Sequence, residues 1–484
     1  MRKIILFTIM ISLVFGITLL DAQEKQSTGS RVIANLEYPE IKWDVPEVGK
    51  EVTRAALDNG LILYFMENHE LPLISAHALI KTGSIYDPKE MMAVAGITGN
   101  VMRTGGTKSY SPDSLNAILE FVAGSVESGI GSESGSASMS VMAKDLDSGL
   151  NILYEVLRYP TFDTAKIELE KSQIKESIRR RDDRPGSIVS REFSHLIYGD
   201  HPYGRILEWE YVKDIGRDDL VAYHGKYYHP NNIMIAFTGD FNTKKLGKKI
   251  KKIFGSWPIG KLAIPPEPAV EYGFNPGVYV IDKDLTQANI RVGHLGIKRD
   301  NPDKYAVSLM NFILGGGSFT SRLTTRVRSD EGLAYSVRSA FSTGSRDYGM
   351  FYAYSQTKTA SAYRVLEIFN EEFKRIREEI PSQAEFETAR DAYVNNFIFQ
   401  FDSPGKIVNR LMNLEFDDYP PNYYNKYLDN VRSVTIEDIK TVAEKYLKPE
   451  SMTIMVLADT SKIEADLSDF GKVTNLELKE PKVD

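Results

Sequence analysis

The sequence predicts an α+β fold of two homologous domains, each a largely antiparallel sheet packed with long helices on one face. Length is the first reason, because 484 residues are too many for one ordinary domain. Composition is the second, since 42% hydrophobic and 26% charged residues are ordinary values for a globular chain. The third reason is an internal repeat that spans a whole helix–turn–strand unit.

The composition also excludes several classes of function. The chain has 59 basic and 66 acidic residues and a formal net charge of −7, which argues against general nucleic-acid binding. It has no cysteine, so disulfides, thiolate metal sites, cysteine nucleophiles and lipoprotein anchors are all excluded.

The N-terminus has the pattern of a secretory signal peptide. Arg2 and Lys3 precede an apolar run at 4–20, and Ala22 is a small residue at which cleavage is expected. The run has seventeen residues, fewer than the roughly 20 that span a bilayer, although an uncleaved anchor is the alternative. We therefore expect a signal peptide at 1–22 and a mature chain with no membrane span. We expect such a chain to be exported to a bacterial periplasm.

The internal repeat joins residues 212–240 to residues 431–459, which align without a gap at an offset of 219 residues. Each copy has an acidic helix start, an amphipathic helix, a proline and an alternating apolar strand. The identical pairs are Val212/Val431, Asp219/Asp438, Lys226/Lys445, Tyr227/Tyr446, Pro230/Pro449, Ile235/Ile454 and Asp240/Asp459. A gapless match over a complete unit indicates duplication of a domain.

The repeat and a proline-rich stretch divide the chain. After a lead-in segment at 23–50 we predict an N-terminal domain at 51–258, a linker at 259–276, a C-terminal domain at 277–470 and a tail at 471–484.

Several motifs resemble one family of proteins. They are Asn59-Gly60-Leu61, 103–107 (RTGGT), 201–205 (HPYGR), 314–323 (LGGGSFTSRL) and 331–337 (EGLAYSV). With these motifs the chain resembles the pitrilysin, insulinase and mitochondrial processing peptidase family of zinc metallopeptidases. The resemblance implies two duplicated domains that form half of a clam-shell chamber. For the stretch of small residues at 125–140 it implies a pair of strands beside the substrate groove, and a flexible hairpin is the alternative.

The zinc site that the resemblance implies is missing. Active members carry H-x-x-E-H on a helix, which provides two zinc ligands and a general base. Here those positions are Gly96, Gly99 and Asn100, and the later glutamate ligand falls on Ser177, with Glu176 one place away. No two of the seven histidines have that spacing beside a glutamate. We therefore expect no metal on this chain and interpret its histidines as polar surface or hydrogen-bonded core residues.

A second pair of functional positions is retained. Arg328 is expected to end a helix, and Tyr335 to open the next strand after a turn at Gly332. The resemblance implies that this arginine and tyrosine hold the substrate backbone and stabilise the oxyanion. Both side chains are hydrogen-bond donors suited to charge that develops on oxygen.

Three functions follow from the pattern. The leading hypothesis is a non-catalytic, zinc-free subunit of a heterodimeric zinc metallopeptidase. The zinc is then expected in a homologous partner subunit that carries H-x-x-E-H, and the substrates are unfolded peptides. The alternatives are a non-enzymatic scaffold or peptide-binding homologue and, least favoured, a self-sufficient zinc protease.

Overall fold

Two six-stranded mixed sheets organise the computed structural model, which describes residues 44–483. The predicted signal peptide and most of the lead-in segment lie outside the described residues. Among residues 44–483 we find no helix with both the length and the hydrophobicity needed to cross a bilayer.

The first sheet has the strand order β1-β2-β6-β3-β5-β4, and only its β2–β6 pair is parallel. Its strands are β1 Thr53–Ala56, β2 Ile62–Glu67, β3 Leu73–Ile80, β4 Ser125–Ile130, β5 Gly135–Met142 and β6 Ile233–Gly239. The helices of this half are α1 Val94–Thr104, α2 Pro112–Phe121, α3 Leu146–Arg158, α4 Thr164–Arg179, α5 Pro185–Tyr198, α6 Arg217–Tyr227 and α7 Thr243–Phe254.

The second sheet has the order β12-β7-β11-β8-β10-β9 and repeats the topology of the first over five strands. Its strands are β7 Gly277–Asp282, β8 Gln287–Leu295, β9 Ala334–Phe341, β10 Met350–Lys358, β11 Thr453–Ala458 and β12 Val473–Asn475. The helices of this half are α8 Lys304–Asn311, α9 Arg322–Thr324, α10 Ala362–Glu378, α11 Gln383–Phe397, α12 Pro404–Phe416, α13 Tyr423–Arg432 and α14 Ile436–Tyr446. Two π-helical stretches, Phe312–Gly316 and Thr325–Asp330, follow α8 and α9.

The predicted duplication is visible in these elements. Helices α6 and α14 begin and end at positions that differ by the same 219 residues, and strands β6 and β11 follow them. In both copies an aspartate in the first turn accepts a hydrogen bond of 2.8 Å from the backbone N–H three residues before it. These residues are Asp219 and Asp438, and their carboxylates satisfy N–H groups that a helix start leaves free. The predicted fold class is confirmed.

One helix from each half packs on the sheet of the other half, a feature that the sequence analysis did not anticipate. Helix α5 lies against β8 and β11, where Val189 and Phe193 are buried beside Met455 and Leu457. Helix α12, conversely, lies against β2 and β6 of the first sheet. Each sheet therefore has a helix of the opposite half on the face turned away from its own core, which ties the two halves together.

A charged cluster fixes α12 to the first sheet. The Arg54 guanidinium donates to both carboxylate oxygens of Glu415, at 2.6 and 2.7 Å, and the Tyr64 hydroxyl donates to the same carboxylate. These hydrogen bonds, led by the one from Arg54, lower the pKa of Glu415 below its ordinary value. A bidentate guanidinium–carboxylate pair is the strongest form of this contact.

The segment that was expected to be a tail adds to the second sheet. Residues Val473–Asn475 form β12, which pairs in parallel with β7, and Leu476 and Leu478 pack beside α5. The other predicted domain boundaries stay predictions.

We expect Glu415→Ala to lower the free energy of unfolding by about 1–3 kcal/mol, because Arg54 and Tyr64 both lose their acceptor. Urea denaturation checks this value. The control is Glu378→Ala, which removes an exposed carboxylate 3.9 Å from Lys374 and should change stability by less than about 0.5 kcal/mol. Equal effects of the two substitutions would show that the α12 contact does not stabilise the fold.

Candidate functional site

The degenerate zinc-motif positions lie on α1, the helix that faces α4 and β4. Gly96 is half-buried, Gly99 is buried and Asn100 is exposed. The Asn100 amide donates a hydrogen bond of 2.6 Å to the Glu170 carboxylate on α4. The residue that contacts Asn100 is thus Glu170, whereas Ser177, the predicted ligand position, is exposed nearly two turns further along α4.

The edge strand β4 occupies the space where a side chain at position 99 would lie. A Cβ atom at Gly99 would stand 2.3 Å from the backbone nitrogen of Ile130, well inside van der Waals contact. The Ser128 hydroxyl donates a hydrogen bond of 2.6 Å to the Gly99 carbonyl in the same contact. At Gly96, in contrast, a Cβ atom would meet nothing within 4 Å. Position 99, where active members carry the glutamate of H-x-x-E-H, is therefore a glycine. The backbone of β4 also fills the space that a glutamate side chain would need there.

The residues at this site do not fit a zinc ion. Glycine offers no ligand, and an asparagine amide is a poor ligand for zinc and no base at neutral pH. Within residues 44–483 no three His, Asp or Glu side chains converge in a way that could hold a metal.

Several histidines have structural partners. His294 is buried, accepts a hydrogen bond of 3.1 Å from the Lys448 backbone N–H, and its burial lowers its pKa to about 4. The imidazoles of His195 and His201 pair with backbone carbonyls at 2.9 and 3.1 Å. These contacts agree with the interpretation of these residues as hydrogen-bonded parts of the fold.

A buried carboxyl group anchors the start of α1. The Asp87 side chain accepts a hydrogen bond of 3.3 Å from the Ala95 backbone N–H in the first turn, and the residue is only 4% exposed. Its second oxygen has no hydrogen-bond partner among the described residues. Burial raises the pKa of Asp87 to about 8, because the charged form loses its hydration.

The hairpin at residues 125–140 is an ordered pair of strands. Strands β4 and β5 pair without a break from Ser125 opposite Ser140 to Ile130 opposite Gly135. Of the two alternatives left by the sequence, the strand pair is confirmed. The hairpin holds β4 at the edge of the first sheet, directly against α1.

The second predicted pair forms one exposed cluster with an additional aromatic residue. The Arg328 guanidinium lies 4.4 Å from the ring centre of Tyr335 and 4.6 Å from that of Phe319, both within cation–π range. Its Nη1 also donates to the Tyr335 backbone carbonyl at 3.2 Å. Tyr335 is 82% exposed and Phe319 is 64% exposed. The arginine is thus held between two rings that are open to solvent.

This cluster borders a cavity of about 490 Å³ beside β9, whose wall includes Gly315, Phe319, Arg328, Tyr335 and Tyr352. Arg328 lies in the π-helical stretch Thr325–Asp330, and Tyr335 is the second residue of β9 after a turn in which Gly332 has φ +63°. Both placements agree with the sequence prediction.

Phe319 was missed as a site residue. The sequence signal was an aromatic residue within 314–323, directly after the glycine run, but its proximity to Arg328 depends on the π-helical turn.

The two helix glycines offer a matched test of the α1–β4 contact. Gly99→Ala should lower the free energy of unfolding by about 1–3 kcal/mol, since its methyl group would force β4 away. Gly96→Ala should raise it by about 0.5–1 kcal/mol, because alanine favours the helix and the space is open. Chemical denaturation of both variants checks the signs. A change in the free energy of unfolding with the same sign in both variants would contradict the close contact between Gly99 and β4.

Asp87 predicts a pH dependence of stability. Between the ordinary pKa of about 4 and the raised value of about 8, the folded state keeps a proton that the unfolded state has released. Stability from this residue therefore falls as the pH rises through that range. Asp87→Asn, which keeps an acceptor for Ala95, should gain thermal stability over the parent at pH 8 more than at pH 5.

Thermal unfolding at several pH values measures this difference. Asp87→Ala, which loses the acceptor, should be destabilised already at pH 5. A constant difference between Asp87→Asn and the parent across pH 5 to 8 would show that Asp87 does not titrate in this way.

Comparison with known proteins gives two family matches. A protein-family model described as insulinase (peptidase family M16) matches residues 66–209. The model described as peptidase M16 inactive domain matches residues 214–393. The two matches do not overlap, and together they cover more than half of the chain.

Individual relatives are similar over most of their length. A Streptomyces coelicolor protein named uncharacterized zinc protease SCO5738 is 24% identical over 363 residues, which are 73% of this chain and 79% of the relative. A Helicobacter pylori protein named non-peptidase homolog YmxG is 23% identical over 403 residues, 82% of this chain and 92% of the relative.

Solved structures share the fold. The peptidase M16 inactive domain from Pseudomonas fluorescens has a TM-score of 0.75 at 25% identity, covering 84% of this chain and 97% of that one. A protease from Helicobacter pylori has a TM-score of 0.74 at 18% identity, covering 84% and 99%. With these matches and its paired sheets, the chain belongs to peptidase family M16, the insulinase family.

Proposed function

We propose that this chain is the zinc-free subunit of a heterodimeric M16 metallopeptidase and contributes substrate binding and oxyanion stabilisation to a partner's active site. One observation carries the proposal: an arginine–tyrosine pair that borders an open cavity is kept in a chain whose zinc-motif helix has no ligand and no space for the glutamate side chain at position 99. In this proposal the chain supplies the hydrogen-bond donors of a hydrolytic site, and the partner supplies the zinc.

The geometry of Arg328 suits this role. A guanidinium has five N–H donors, and the hydrogen bond found for Arg328 within the described residues uses one of them. The two flanking rings restrict its orientation, so its remaining donors are available to a carbonyl oxygen at little entropic cost. The Tyr335 hydroxyl belongs to a ring that is 82% exposed and can donate to the same oxygen.

The reaction supported by these donors is peptide-bond hydrolysis. When water attacks a peptide carbonyl, negative charge develops on its oxygen, and Arg328 and Tyr335 donate hydrogen bonds that strengthen as that charge grows. The attacking water and its activation are assigned to a homologous partner that carries H-x-x-E-H. The substrate in this proposal is an unfolded peptide enclosed between the two subunits.

The proposal also includes export of the chain. The apolar run behind Arg2 and Lys3 has the features of a signal peptide, and the absence of cysteine is compatible with a periplasmic location. The zinc-bearing partner would have to be exported to the same compartment.

A second candidate is a non-enzymatic scaffold or peptide-binding homologue. Two observations favour it: a relative carries the name non-peptidase homolog, and β4 fills the position of the catalytic glutamate. The exposed Arg328–Tyr335–Phe319 cluster weighs against it, because a pure scaffold has no use for unshielded donors. A self-sufficient zinc protease is the least favoured, since Gly96, Gly99 and Asn100 supply no ligand.

Reconstitution tests the proposal. We expect no peptidase activity from the purified chain alone and zinc-dependent activity when it is combined with an H-x-x-E-H homologue encoded beside it. In the active pair, Arg328→Ala with Tyr335→Phe should lower kcat by a factor of about 100 or more, the cost of losing oxyanion donors. The control is Arg432→Gln, an exposed arginine on α13, which should leave kcat unchanged.

Two results would overturn the proposal. One is chelator-sensitive activity of the chain alone, which would make it a protease in its own right. The other is an active pair whose kcat does not respond to the double substitution, which would remove Arg328 and Tyr335 from catalysis and favour the scaffold.

A further inference from the structure

The cavity beside β9 is cationic. Two arginines, Arg328 and Arg338, line it together with glycine, serine, threonine, alanine, valine and aromatic residues, and its lining includes no aspartate or glutamate. A concave site with charge of one sign raises the local concentration of ligands of the opposite sign. Its volume of about 490 Å³ lies within the range of small-ligand sites.

Arg338 has no assigned partner in the fold. It lies on β9 and is exposed, and its side chain makes no hydrogen bond or ion pair with any other residue in the part of the chain that the structure describes. Other arginines of the same half are bound to carboxylates: Arg322 donates to Glu385 at 2.6 Å, and Arg364 donates to Glu331 at 2.8 and 2.9 Å. Arg338 therefore differs from these structural arginines.

A third arginine lies behind the cavity wall. The Arg291 guanidinium stacks on Tyr352, 4.4 Å from its ring centre, and Tyr352 lines the cavity. Its Nε is buried without a hydrogen-bond partner among the described residues. Its only hydrogen bond within residues 44–483 goes to the neutral Ser190 hydroxyl at 3.0 Å. This half-buried positive charge adds to the potential of Arg328 and Arg338.

We propose that this cavity binds the carboxylate of a peptide, with Arg338 as the residue that recognises it. A guanidinium fork matches a carboxylate in a bidentate arrangement, and Arg338 shares the cavity lining with the Phe319 and Tyr352 rings. The carboxylate is supplied either by an acidic side chain or by the C-terminus of the peptide. Carboxylate binding does not depend on the partner subunit.

The position of Arg338 on β9 sets its distance from the peptide bond that is cleaved. This part of the inference rests on the proposed function. Tyr335 and Arg338 are three residues apart on β9, and Tyr335 is the extra residue of a β-bulge, since Ala334 pairs with Thr357 and Ser336 with Gln356. Their Cα atoms are therefore at most about 10 Å apart. An extended peptide whose carbonyl contacts Arg328 and Tyr335 therefore presents its acidic residue about three positions from that carbonyl. The inferred substrate class is unfolded peptides with an acidic residue near the cleavage site.

Fluorescence anisotropy on the purified full chain tests the binding site without any catalysis. Three labelled decapeptides are used: one with a central glutamate and an amidated end, its glutamine counterpart, and the glutamine peptide with a free C-terminus. We expect the glutamate peptide, the free-end peptide or both to bind about tenfold more tightly than the amidated glutamine peptide. The peptide that gains affinity identifies the source of the carboxylate.

Variants assign the effect to Arg338. Arg338→Gln should abolish the preference, Arg338→Lys should keep part of it, and Arg432→Gln, with the same change in charge at another exposed site, should keep all of it. Equal affinity for all three peptides would overturn the proposal, as would a preference that persists in Arg338→Gln. A preference in binding without activity in the reconstituted pair would instead reject the proposed function and keep this site.

Discussion

In both halves of this protein the backbone of an edge strand packs directly against a helix glycine, and this close contact decides which side chains fit beside it. In the first half the backbone of β4 reaches α1 at Gly99, where a Cβ atom would lie 2.3 Å from the Ile130 nitrogen. In the second half the backbone of β9 reaches the π-helical stretch at Gly315, where a Cβ atom would lie 2.6 Å from the Ser339 nitrogen. The same packing solution follows from the duplicated topology.

The two copies of this contact have different chemical consequences. In the first half the contact takes the space that the glutamate side chain of H-x-x-E-H would need at position 99. In the second half it brings the glycine-rich segment against β9 and leaves the Phe319 and Tyr335 rings exposed beside the half-buried Arg328. The same helix–strand contact thus leaves no space for a glutamate side chain in the first half and lies beside the Arg328 cluster in the second half.

Much of this could be predicted from the sequence because the deciding signals are local. The gapless repeat, with Asp219 and Asp438 at equivalent helix starts, identified the duplicated unit, and Gly332 placed the turn between Arg328 and Tyr335. What could not be predicted depends on contacts between distant elements. The pairing of Asn100 with Glu170 instead of position 177 reflects how α1 and α4 cross, which residue spacing does not determine. The packing of α5 and α12 on the opposite sheets is of the same kind.

The stability of the fold does not explain why the side chains of the Arg328 cluster are placed where they are. The chain places several other charged groups in contacts that stabilise it, such as the Arg54–Glu415 pair that fixes α12. Arg328 and Arg338 are given no carboxylate in the described part of the chain, and Tyr335 and Phe319 are left in water. An exposed aromatic ring and an unpaired guanidinium gain little free energy from folding, so folding alone does not account for their placement. A ligand that covers the rings and neutralises the arginines would supply that free energy, and a peptide with a carboxylate has both properties.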